Sequence, residues 1–135
     1  MRGSLRPHST ESKCRILYVG ADLELLARLR KALPRTDYQI IGCGDRESAI
    51  IFLKSDISYQ LLMIDFQWRE SEGLKLASLA RLLKHRKQMP TVLVTPTELS
   101  RQLKSKARNA GVNECVRKTP DAEAIIATIR RLTGV

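Results

Sequence analysis

The stretch Tyr59–Gly73, YQLLMIDFQWRESEG, decides how the chain is read. Leu61, Leu62, Met63 and Ile64 are apolar at consecutive rather than alternate positions, and the run stops abruptly at Asp65. A short apolar run bounded by polar turn residues predicts a strand buried on both faces, the situation of a parallel sheet. A carboxylate ending such a strand falls at the carboxyl edge of an open α/β sheet, where ligands bind. Asp65 is therefore the first candidate functional residue.

The same pattern repeats on either side. Arg15–Val19 (RILYV) predicts a first strand, closed by Gly20. Asp22 then precedes Leu25, Leu26, Leu29 and Leu33 at helical spacing, so it is placed to cap that helix, which ends before Pro34. Tyr38–Cys43 predicts a second strand, and Gly44–Asp45 turns it into a helix with Ala49, Ile50 and Leu53 inward. After Asp65, a long helix is expected over Gly73–Lys87, with Leu76, Ala77, Ala80 and Leu83 on one face. Pro90 opens the fourth strand, Thr91–Thr95, and a more polar helix carries Leu99, Leu103 and Ala107 until Gly111. A fifth strand, Asn113–Arg117, leads to Lys118, with Thr119 read as the cap and Pro120 as the start of the last helix. Strands alternating with helices predict an α/β, flavodoxin-like (βα)5 three-layer sandwich, a parallel five-stranded sheet in the order 2-1-3-4-5.

With 43% hydrophobic residues in 135, the chain has enough apolar material for one domain with its own core. Residues 1–12, MRGSLRPHSTES, lack periodicity and read as an N-terminal arm, with MRGS compatible with a cloning remnant; residues 13–135 form the domain. No apolar stretch approaches the length of a membrane span, and no secretory signal is evident, so a cytoplasmic location is expected. Cys14, Cys43 and Cys115 have no metal-type spacing and read as small apolar fillers in a reduced compartment. The net charge of +10 favours an acidic or anionic partner, although it says nothing of fold.

In the expected topology the strand ends bring Gly20–Ala21–Asp22, Asp65, Thr95 and Lys118 to one rim. A carboxylate, a hydroxyl and an ammonium together suit a phosphoryl group: nucleophile, hydrogen-bond donor and neutralising charge. Here the chain resembles the CheY-like receiver domains of two-component response regulators, over Lys13 to Val135. Asp65 matches the phosphoacceptor position, Gly73 the glycine at the start of the next helix, Thr95 the hydroxyl position, and Lys118 the lysine at the end of GVNECVRK (Gly111–Lys118). The resemblance implies phosphorelay signalling, with a histidine kinase and an effector or output protein as partners. It also implies possible homodimers through the face of the fourth helix, fifth strand and fifth helix, and no enzymatic activity beyond accepting a phosphoryl group.

The chain departs from that family where a metal would sit. Receivers carry an acidic pair after the first strand to hold Mg2+, and here those positions are Gly20 and Ala21, with Asp22 a weak candidate one residue late. Arg69 replaces a usual proline, Thr119 separates Lys118 from Pro120, and Cys115 replaces the aromatic residue that moves with the threonine. The expectation is a pseudo-receiver: a signalling and protein-interaction module with a compromised Mg-binding site and no cofactor, Mg2+ entering only if the site still works. The alternatives are a working phosphoacceptor at Asp65 and a basic nucleic-acid-binding module. The cations of Lys84–Lys87, of the first helix and of the fourth read first as solvated faces, and no nucleic-acid-binding motif accompanies them. Trp68, the one tryptophan, lies in the loop beside Asp65.

Overall fold

The computed structural model of the protein describes residues 14–66 and 70–135, with the backbone alone at residues 70 and 71. The N-terminal arm, Trp68 and Arg69 lie outside the described residues. Five strands, β1 (Cys14–Val19), β2 (Tyr38–Cys43), β3 (Leu61–Asp65), β4 (Thr91–Thr95) and β5 (Glu114–Arg117), form a sheet in the order β2-β1-β3-β4-β5. All four pairings are parallel. The helices between and after them are α1 (Leu23–Ala32), α2 (Arg46–Lys54), α3 (Glu70–Leu82), α4 (Arg101–Asn109) and α5 (Glu123–Thr133). The flavodoxin-like order 2-1-3-4-5 expected from the apolar runs is the order observed.

Burial explains the reading of the central strands. Every residue of β3 and β4 is buried, because helices cover both faces of the sheet there. On one face, Leu25, Leu26 and Leu29 of α1 and Ile125 and Ile129 of α5 pack on Ile16, Tyr18, Met63 and Val92. On the other, Ala49 and Leu53 of α2, Leu76, Ala77 and Ala80 of α3, and Ala107 of α4 pack on Leu17, Val19, Leu62, Ile64 and Leu93. Successive strand residues alternate between these two cores.

Local chemistry sets the helix ends. Asp22, Asp45 and Ser100 cap α1, α2 and α4, each accepting a backbone N–H three residues on. The third and last helices differ in extent from the sequence reading. The helix expected over Gly73–Lys87 begins at Glu70 and ends at Leu82, and a short 3-10 turn, Lys84–Arg86, follows. The last helix starts at Glu123 rather than Pro120. The Thr119 hydroxyl donates to Asp121, and Asp121 accepts from the Glu123 N–H, so this pair holds a turn ahead of the helix. Ala122 enters α5 at φ 57°, a left-handed value unusual for alanine.

The basic cluster Lys84–Lys87 also divides. Lys84, His85 and Lys87 are exposed, but Arg86 is buried. Its guanidinium donates to the Leu53, Phe52 and Ser55 carbonyls at the end of α2 and lies 5.0 Å from the Tyr59 ring centroid. Arg81 joins the same edge, donating to the carbonyls of Gly111, Lys87 and Met89 and to the Asn113 side chain. Gly111 has φ 99°, and a side chain there would run into Arg81. Arg86→Met removes these donors and strands buried carbonyls. It is expected to lower the unfolding free energy by about 2 kcal/mol, read from urea denaturation at constant slope.

Candidate functional site

The strand ends supply the site. In the pairing of β1 with β3, Tyr18 lies opposite Met63 and Val19 opposite Ile64, so the next residues, Gly20 and Asp65, meet side by side. Tyr18, Met63 and Asp65 share one sheet face, and the Tyr18 ring points its hydroxyl along that face to the strand end. The Tyr18 hydroxyl donates to Asp65 Oδ2 at 2.8 Å and accepts from the Asp22 backbone N–H at 3.2 Å. Tyr18 is 1% exposed and Asp65 is equally buried.

Lys118 arrives from the end of β5, where its N–H is held by the Thr95 carbonyl at 2.7 Å. Its ammonium lies 2.8 Å from Asp65 Oδ2 and 2.8 Å from Asp22 Oδ2. Asp22 Oδ1 meanwhile caps α1 through the Leu25 N–H. The residue one place late for the family's acidic pair is thus both a helix cap and the second anion of the lysine.

The electrostatics follow the contacts. Hydrogen bonding to Lys118, and then to the Leu25 N–H, holds the Asp22 carboxyl below the usual carboxylate range. Burial works against the Lys118 charge, but hydrogen bonds to Asp22 and Asp65 outweigh it and its pKa is raised. Burial, reinforced by the Asp65 charge, pushes the Tyr18 phenol well above the ordinary tyrosine range, so Tyr18 stays a hydrogen-bond donor.

Other sequence-selected residues sit differently. Thr95 is buried at the end of β4, but its hydroxyl donates to the Thr97 carbonyl at 2.8 Å. Gly20 is buried between Tyr18 and Asp65, whereas Ala21 is exposed. Gly73 lies inside the first turns of α3, where a Cβ would come 3.1 Å from Ile64. Cys115 is half-buried against the α2–α4 side, and burial raises its thiol pKa, which suits a filler rather than a reactive thiolate.

Tyr18 is the residue that sequence reasoning missed. The available signal was a phenol inside an otherwise apolar strand, since a buried tyrosine hydroxyl needs a polar partner. Gly20, two residues on and on the same face, is where the room for that hydroxyl comes from.

No family model matches the chain, and no curated protein sequence matches it. Solved structures do. The chemotaxis response regulator CheY4 of Vibrio cholerae superposes with a TM-score of 0.77 at 16% identity, covering 90% of this chain and 99% of that one. A CheY-like response regulator receiver domain protein from Methanospirillum hungatei JF-1 gives 0.76 at 20% identity, covering 91% and 95%. The response regulator TrrA from Thermotoga maritima, in complex with Mg2+ and BeF, gives 0.70 at 23% identity, covering 88% and 98%.

The pairs at the rim set its pH response. Asp22, with a lowered pKa, contributes stability that is complete above the ordinary carboxylate range and is lost as pH falls through the lowered value. Lys118, with a raised pKa, contributes stability that is complete below the ordinary lysine range and is lost as pH rises through the raised value. Unfolding midpoints measured from pH 3 to 11 (on the order of the carboxylate and lysine limits) are expected to form a plateau with an acid and an alkaline limb. Asp22→Asn should flatten the acid limb. Lys118→Met leaves two carboxylates facing each other at the rim and is expected to cost about 3 kcal/mol in the same assay. With this rim at the carboxyl edge of a 2-1-3-4-5 sheet, the protein has the fold of the CheY-like response regulator receiver domains.

Proposed function

We propose that the chain is a receiver-type signalling and protein-interaction module whose rim works without a bound Mg2+. The observation that carries this reading is the Lys118 ammonium at 2.8 Å from both Asp65 and Asp22, an internal cation between the two carboxylates. A magnesium ion asks for near-octahedral oxygen ligands, usually one or two carboxylates with water and phosphate. Gly20 and Ala21 offer no side-chain oxygen, Asp22 is committed to Lys118 and Leu25, and one Asp65 oxygen receives two donors. The residues present do not fit that ion.

Signalling by such a module runs through contacts. A histidine kinase, an effector or a second copy of the chain would be the partner, and the α4–β5–α5 face is the surface we assign to it. The Thr95–Cys115 pair on that side offers a hydroxyl bonded to its own loop and no aromatic side chain, which suits a face held in one arrangement. The basic residues do not form one groove. Arg28, Arg30 and Lys31 lie on α1 and Arg101, Lys106 and Arg108 on α4, on opposite sides of the sheet, as solvated faces. Among the described residues no helix is long and apolar enough to cross a membrane.

A second reading, phosphorylation of Asp65, draws on the closeness of Asp65 and Lys118, since an ammonium beside the carboxylate would neutralise a transferred phosphoryl group. Intact-mass measurement after incubation with acetyl phosphate and Mg2+ separates the two. No gain of mass is expected. A gain of one phosphoryl group that is lost in Asp65→Asn would replace the proposed reading with the second.

A further inference from the structure

The phenol of Tyr18 occupies a position that the loss of two acids does not by itself explain. Its oxygen lies between Asp65 Oδ2 and the Asp22 N–H, directly beyond the end of β1. A Cβ on Gly20 would come 2.6 Å from that oxygen, 2.8 Å from the ring carbon bearing it, and 2.6 Å from the Asp65 Cβ. Real Cβ atoms do not approach so closely, and the ring cannot retreat, because it is buried among Leu25, Met63 and the other residues of the α1–α5 core. Even alanine is excluded at position 20 with Tyr18 and Asp65 in place, and a carboxylate would need more of the same space.

We infer that Tyr18 closes this rim to divalent cations: its hydroxyl takes the Asp65 oxygen and the space beside it, where a side chain at position 20 would meet both the phenol and Asp65. This inference rests on the metal-independent reading above and adds Tyr18 to Lys118 as a residue that enforces it. Two donors replace one ion. Lys118 supplies the positive charge, and Tyr18 supplies a directed hydrogen bond that fixes the carboxylate without adding charge. Because the phenol also accepts from the Asp22 N–H, it ties the first turn after β1 to the end of β3, so the loop that would carry metal ligands is held against the sheet. Restoring an acid in that loop is therefore not enough to restore a metal site.

The test uses Ala21→Asp, at an exposed position where an added carboxylate meets no packing, with and without Tyr18→Phe, which keeps the ring and deletes one oxygen. Mn2+ is titrated into each protein and localised by paramagnetic broadening of the backbone amide resonances of residues 21, 22 and 66. The expected result is no localised broadening in the wild-type protein, and affinity at least about tenfold tighter in Ala21→Asp/Tyr18→Phe than in Ala21→Asp. Equal affinities in the two variants, or no binding by either while both retain cooperative melting, overturn the role of Tyr18 and leave the metal-independent reading intact. Localised, saturable broadening in the wild-type protein overturns that reading itself. Tyr18→Phe alone serves as the folding control, and its rim resonances should shift at Asp65 and Lys118 without loss of the sheet pattern.

Discussion

One oxygen of Asp65 receives two donors, the Tyr18 hydroxyl and the Lys118 ammonium, each at 2.8 Å. A buried carboxylate is tolerated in a protein interior only when charge and hydrogen bonds compensate its lost hydration. Here the compensation comes from two other strand ends, so satisfying Asp65 requires β1, β3 and β5 to be in register together. The carboxyl edge is consequently the place where local geometry and global topology constrain each other most tightly.

The arrangement also explains why neighbouring positions look as they do. Asp22 serves α1 and Lys118 at once, which joins the first helix to the last strand across the rim. Gly20 leaves the space that the phenol needs. The opposite edge is organised by the same physics with other groups: Arg81 and Arg86 satisfy carbonyls at helix ends and in loops, and their planar, multi-donor heads suit several acceptors at once. Both edges are stitched by cations that composition alone counts as part of a basic surface.

A receiver fold offers a sheet rim and, away from it, helix faces able to meet partners. In this chain Lys118 offsets part of the carboxylate charge at the rim, Thr95 is turned to its own loop, and Cys115 is half-buried.

The sequence by itself determined the alternation of strands and helices, the burial of β3 and β4, the cap at Asp22, the turn at Gly44–Asp45, and the rim positions of Asp65, Thr95 and Lys118. These follow from apolar periodicity and turn chemistry, which act over a few residues and are visible in a linear chain. Only the tertiary structure decided what each rim residue touches. The pairing of Tyr18 with Asp65 spans 47 positions, that of Lys118 with Asp22 spans 96, and the burial of Arg86 depends on carbonyls more than thirty residues away. The start of α5 also escaped the sequence, because Thr119 and Pro120 make a plausible cap in isolation while Asp121 bonds both Thr119 and Glu123 and moves the helix start onward. Side-chain hydrogen bonds between distant elements depend on register and packing, and no local pattern encodes them. That is why Asp65 could be found as a site from its own stretch, while its partner Tyr18 could not.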